Sequence, residues 1–332
     1  MTDPHDGTWV EGTAAELVAD AMALGVEKVS TRMVADWVGD GLLASPGFRK
    51  STRHGSDERV FSPEQRWLFT ELLKARQRSS LKRIPHHTLT RMVLYLWLVE
   101  DTVVPTEQAR RAWRTYARAT GRHTGPGRRR LAQRVVEQLA HPEATYRQRR
   151  TALLLIEAGE KSKQPDWEKL SPVIAQLASP WLVPGTPRIE RSLGPAWLPG
   201  TATQLVGMWW ATQQVTELLL NKRIKEPVLD EVRAVFRASW SDYQARRAGM
   251  AAASGEYGRM FAPPASAEAR IKETVEAFVG ELAGVLGFIT AAMEAADAGA
   301  VPERRSTPKR DPALGRPKSP VIHEPTIPDL SR

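Results

Sequence analysis

Val29-Ser30-Thr31-Arg32-Met33-Val34-Ala35-Asp36-Trp37-Val38-Gly39-Asp40-Gly41-Leu42-Leu43 decides how this chain is read, together with Arg49, Lys50, Arg53, His54 and Arg59 in the turn-rich segment behind it. Ser30 and Thr31 are residue types that cap a helix start, and Val34, Trp37 and Val38 recur at helical spacing. Gly41 ends the run at a position where left-handed backbone costs least. Ser62-Pro63-Glu64 opens another helix, because proline is tolerated at the first helical position, and Trp67, Leu68, Leu72 and Leu73 are spaced to face a core. Upstream, residues 13–24 read as a helix with Leu17, Ala21 and Leu24 on one face, turned at Gly25-Val26. Residues 44–60 contain Pro46, Gly47 and Gly55 and suit a long β-hairpin. The order is that of a winged helix-turn-helix: helix, turn, helix, wing, helix.

In such a module the N-terminal part of the second helix faces the major groove of DNA, which singles out Ser30, Thr31 and Arg32. Arg49, Lys50, Arg53 and Arg59 would follow the flanking phosphates. Residues 13–78 resemble the DNA-binding domain of MerR-type transcriptional regulators through Ser30, Arg32, Val34, Trp37, Gly41, Leu42, Leu43 and Pro46, then Arg59, Phe61, Ser62, Pro63, Glu64 and Leu68. The resemblance implies that Arg32 lies on the recognition helix, that Arg59 lies in the wing, and that both touch DNA backbone. It also implies that Trp37 supports the helix near a phosphate. Ala35 and Asp36 depart from the family, which usually has Arg and Tyr there. Glu27 and Lys28 lengthen the turn, and Pro85 cuts short the long dimerising helix typical of the family.

The net charge of +9 is unevenly spread. Residues 1–80 hold 10 basic and 12 acidic side chains, whereas 110–150 hold 12 basic and 2 acidic. Within the first module the charge is polarised, since residues 49–83 carry 10 basic against 4 acidic. Arg110, Arg111, Arg114 and Arg118 lie at spacings that place three of them near one face of a helix over 106–118, and Arg128, Arg129 and Arg130 follow a Gly-Pro-Gly turn at the start of the next helix, 128–140. Three cations at a helix start oppose its dipole, so an anionic partner is one reading of this cluster. A solvated face paired with acidic residues elsewhere is the other.

The remainder reads as all-α. Pro85 and Pro105 bracket a helix containing the longest apolar run, residues 92–99. That run is far short of the roughly 20 residues a membrane helix needs. A helix over 145–159 follows, and 160–200, rich in Pro and Trp, is expected to wrap a bundle surface. Residues 203–222, 227–246 and 266–296 show the three-four spacing of amphipathic helices. Of Trp209 and Trp210, which point about 100° apart on a helix, at most one can face the core squarely. From Val301 onward seven prolines and little apolar material imply a disordered tail.

The expected organisation is therefore a winged helix-turn-helix domain at 1–83, a large helical domain at 84–300 (with subdomains near 84–160 and 161–300), and a disordered tail at 301–332. Cysteine is absent, which excludes disulfides, thiolate catalysis and cysteine-ligated zinc. His86-His87 are adjacent and no His-Glu-x-x-His occurs. Gly-x-x-x-x-Gly-Lys and Gly-x-Ser-x-Gly are missing too, so no catalytic residue, metal site or cofactor is expected. The polar start Met1-Thr2-Asp3-Pro4-His5-Asp6 lacks signal-peptide character, and a bacterial cytoplasmic, nucleoid-associated protein without membrane contact is expected. The reading that follows is a sequence-specific regulator binding double-stranded DNA as a homodimer, with a small-molecule or protein effector as a further partner. Two others remain beside it: a plasmid or phage accessory factor of partition or excision type, and a helical protein-interaction scaffold.

Overall fold

The computed structural model describes residues 9–50, 57–78, 86–120, 125–181 and 200–300. Strand β1 (Gly12–Thr13) runs into helix α1 (Ala14–Ala23), and α2 (Thr31–Gly39) follows after a turn. Strands β2 (Gly47–Lys50) and β3 (Asp57–Phe61) then lead to α3 (Pro63–Arg78). The three strands form one antiparallel sheet in the order β1-β3-β2. Caps begin the helices where their side chains permit. Thr13 and Glu16 make a reciprocal capping box on α1, and Ser30 Oγ accepts from the Met33 amide at 3.3 Å on α2. Arg66 on α3 grips Asp20 on α1 through two hydrogen bonds of 2.5 and 2.8 Å, fixing the angle between the helices.

Helices make up most of the rest: α4 (His86–Val99), α5 (Thr106–Ala119), α6 (Gly125–Leu139), α7 (Tyr146–Ser162), α8 (Trp167–Ala178), α9 (Ala202–Leu220), α10 (Glu226–Ala253), a 3-10 helix (Gly255–Phe261), α11 (Ala267–Val285) and α12 (Phe288–Ala300). The chain is mainly α, and among the described residues no strand occurs beyond β3. No single helix among them is long and apolar enough to cross a membrane.

Four segments differ from the expectation. The stretch 160–200 contains α8, whose Leu170, Ile174 and Leu177 are buried despite Pro172 inside the helix; residues 182–199 lie outside the described residues. The single helix expected over 266–296 is two, bent by 80° where Gly287 takes φ +76°. Helix α6 begins at Gly125, not at Arg128, so Gly125-Pro126-Gly127 form its first turn. Helix α10 continues to Ala253, a full two turns past Arg246. The expected disordered tail, 301–332, lies outside the described residues.

One hydrophobic cluster runs through α1–α5 and on into α9–α11, so the core is continuous across residue 83. Its centre is aromatic: Trp113 stacks on Phe278 at 5.1 Å, and Trp97 meets the same ring edge-on at 5.3 Å. A second cluster joins α6, α7, α8 and the first turns of α9. The packing thus divides residues 84–300 differently from the chain order, because α9 belongs to both clusters. Arg247, only 5 % exposed, ties α10 to α11 by bonding both Glu273 oxygens at 2.7 and 2.9 Å, while its Nε donates to Phe261 O at 2.7 Å.

Candidate nucleic-acid interface

Helix α2 is sharply two-sided. Val34 and Trp37 are buried, whereas Ser30, Thr31, Arg32, Ala35, Asp36 and Gly39 are exposed. Trp37 is 1 % exposed and meets Phe69 of α3 edge-on at 5.4 Å. Its ring therefore holds α2 against the core and is not available to touch a phosphate, which corrects its assignment as a contact residue. Arg32 projects from the first turn and has no acidic partner among the described residues.

The hairpin presents two unlike faces. Cross-strand register pairs Phe48 with Arg59 and Arg49 with Glu58, and alternation along a strand sends these pairs to opposite sides. On one side Arg49 bonds Glu58 at 2.9 Å and lies 3.9 Å from Glu11, so its charge is largely spent within the protein. On the other, the Arg59 guanidinium sits 5.7 Å from the centre of the Phe48 ring and has no acidic partner among the described residues. Lys50 lies in β2 opposite Asp57. Arg53 lies outside the described residues.

No family model, curated protein or solved structure matches this chain.

The second basic set is divided by the fold. Arg110 pairs with Glu226 at 2.9 Å, and Arg129 lies 3.8 Å from Glu157. Arg111 bonds Glu107 and donates to the Leu43 carbonyl at 3.2 Å, fastening α5 onto the turn that follows α2. For these three the pairing role is met inside the protein. Arg114, Arg118, Arg128 and Arg130 have no acidic partner among the described residues. Because α6 starts at Gly125, Arg128–Arg130 lie beyond its first three residues, where opposition to the dipole has largely faded. The electrostatic anomaly that suggested an anionic partner there is correspondingly smaller.

Sequence reasoning missed the residues that fix the orientation of α2. Gln65 of α3 and Gln108 of α5, both buried, form a small amide network. The Ala44 amide donates to Gln65 Oε1 at 2.7 Å, and Gln65 Nε2 donates to Val103 O at 2.7 Å and to Gln108 Oε1 at 2.9 Å. Gln108 Nε2 then donates to Leu42 O at 3.0 Å. Every partner lies on the connection leaving α2, on α3, on the approach to α5 or in its first turn, so the network welds the module to the helical body. Gly41, at φ +78°, lets α5 lie directly against that connection, since a Cβ there would stand 2.2 Å from the Ala112 nitrogen. Glutamine carries no pattern that would have signalled this. Phe48 was legible only as an aromatic beside Arg49 in a basic hairpin.

Two titration shifts fall in the module. The Thr13 amide and hydroxyl hold the Glu16 carboxylate below its ordinary value, and the Asp20 hydrogen bonds raise the Arg66 guanidinium. Both favour the charged forms and stabilise helix geometry without marking a reactive group. Elsewhere, a cleft of about 280 Å³ opens between α5, α6, α9 and α11, where the two hydrophobic clusters meet, with Arg134, Trp209, Lys272 and Glu276 in its wall. Trp210 is buried and Trp209 only half-buried, as adjacent helical positions require.

Proposed function

We propose that this chain is a sequence-specific DNA-binding protein, a MerR-like bacterial transcriptional regulator that acts as a homodimer rather than as an enzyme. In this reading residues 12–78 are a winged helix-turn-helix, α2 enters the major groove, and the hairpin tracks the neighbouring backbone. The observation that carries it is the outward face of α2 and the hairpin. Ser30, Thr31 and Arg32 lie exposed at the start of a helix whose other face is locked by Trp37 and Val34, and Arg59 in the hairpin is exposed with no acidic partner among the described residues. A rigid helix presented in this way is what direct readout of base edges demands. Asp36 would be an acceptor for a cytosine amino group at the far end of the contact. Arg49, occupied by Glu58 and Glu11, takes a lesser part than Arg59.

The helical body holds the module through the Gln65–Gln108 network and supplies the dimer contact. The cleft beside Trp209 and Arg134 is where a small-molecule effector would act in this account, because Tyr116 in its wall belongs to α5, the helix that also carries Gln108 and Arg111 nearer its start. Selection of bound duplexes from a random-sequence pool, followed by footprinting, tests the proposal. Enrichment of one inverted-repeat site with two half-sites a helical turn apart is the expected result. A pool that stays random after repeated rounds would contradict sequence-specific recognition, and regular footprints along repeated sites would favour the accessory-factor reading over a single operator.

A further inference from the structure

We infer that Phe48 is a minor-groove wedge, inserted between base pairs beside the α2 contact with Arg59 held against its ring. The inference rests on the DNA-binding reading and adds to it a residue, a groove and a deformation of the duplex. Phe48 is 69 % exposed, the largest exposure of any phenylalanine among the described residues, although it sits in a strand. Its cross-strand neighbour is Arg59, whose guanidinium lies 5.7 Å from the ring centre. Two positions along β3 from Arg59, on the same face of the strand, Phe61 is buried in the core. The face that bears Phe48 and Arg59 is therefore the continuation of the face on which the helices pack, carried outward beyond the core.

The other face of the hairpin is self-neutralised by Arg49 and Glu58 at 2.9 Å. Among the described residues of the hairpin, an apolar ring and a cation without an acidic partner thus project together from the side opposite the Arg49–Glu58 pair. That combination matches the minor groove, where a narrow groove concentrates negative potential that draws arginine in, and where phenylalanine can part a base step. A phosphate contact alone would use the arginine and leave the ring in water. Arg59 beside the ring, exposed and without an acidic partner among the described residues, favours duplex DNA over a protein partner as the occupant.

The experiment uses the full chain and the duplex enriched from a random pool. It combines permanganate probing of unstacked thymines with anisotropy titrations at several salt concentrations. Pyrimidine–purine steps are the easiest to part, and each of them carries a thymine when it is TA or CA/TG. The wild-type protein should make thymines at one step on the flank of the α2 site reactive. Phe48→Ala should abolish that reactivity and weaken binding about ten-fold while leaving the salt slope unchanged, because no charge is removed. Phe48→Leu should retain most of both effects. Arg59→Ala should instead lower the slope by about 0.9. Wild-type affinity and unchanged thymine reactivity in Phe48→Ala would overturn the wedge while leaving DNA binding intact. A wild-type chain that binds no duplex would overturn both.

Discussion

Replacing Gln65 with alanine tests whether the α2 module and the helical body are one cooperative structure. The truncation leaves three buried groups without their partner: the Ala44 amide, the Val103 carbonyl and Gln108 Oε1, which now meet Gln65 at 2.7, 2.7 and 2.9 Å. Each buried group left unsatisfied costs about 1–3 kcal/mol, and relaxation or an entering water recovers part of that. A net loss of about 3–4 kcal/mol is the expectation. Unfolding entropy near 2.1 cal/mol/K per residue makes that a fall in Tm of about 5 °C for a body of this size. The assay is urea unfolding monitored by tryptophan fluorescence, since Trp37 and Trp97 are both buried in the shared core and report on either side of residue 83. A double-mutant cycle with Gln108→Ala should be strongly non-additive, the second truncation costing well under the first. A loss below about 1 kcal/mol, or two separate unfolding transitions in the wild type, would refute the reasoning.

Two further outcomes follow from the same geometry. Gly41→Ala places a Cβ 2.2 Å from the Ala112 nitrogen in a backbone at φ +78°, so left-handed strain and overpacking together should cost about 2–4 kcal/mol by thermal unfolding; a near-neutral variant would mean that α5 does not rest on this turn. The Glu16 carboxylate should titrate below the ordinary glutamate value by NMR, because the Thr13 amide and hydroxyl bond its charged form. Its folded-state pKa is depressed, so its contribution to the α1 cap is present above the unfolded value and is lost as pH falls through the folded one. Thr13→Ala removes the hydroxyl but keeps the amide and should bring the midpoint only part of the way back; a wild-type midpoint at or above that of an unstructured glutamate would count against the capping box.

Much of the local structure was legible in the sequence. Ser30 caps the helix that follows it, Pro63 opens α3, and Gly41 closes the turn after α2, because each depends only on a residue type and its immediate neighbours. Helix α8 was missed where Pro172 and the surrounding tryptophan and proline residues hid the spacing of Leu170, Ile174 and Leu177. The break between α11 and α12 is set by a single glycine, Gly287, in an otherwise unbroken apolar pattern, and periodicity cannot distinguish a straight helix from one bent by 80°.

The candidate site divides along the same line. Exposure of Ser30, Thr31 and Arg32 follows from the helical period. Burial of Trp37 follows from it too, but the resemblance to a family drew that residue toward the phosphate instead. Long-range pairing was not legible at all. Gln65 and Gln108 are 43 residues apart, and Arg110 and Glu226 are 116 apart, so nothing local tells a basic residue that it is already neutralised. Three of the seven arginines that sequence reading grouped at 110–130 act inside the fold or against a nearby acid, and a charge count cannot separate those from the rest.

The proposed binding role is tested most directly by anisotropy of the full chain on an enriched duplex and on random DNA, across a range of salt concentrations, for the wild type, Arg32→Ala and Arg59→Ala. The account predicts tighter binding to the enriched duplex, a slope of log affinity against log salt that is steep in the wild type, and a reduction of about 0.9 for each arginine that neutralises a phosphate. Arg32→Ala should also reduce the preference for the enriched duplex. Equal, weak affinity for both DNAs, or slopes unchanged by either substitution, would contradict the assignment of α2 and the hairpin to DNA.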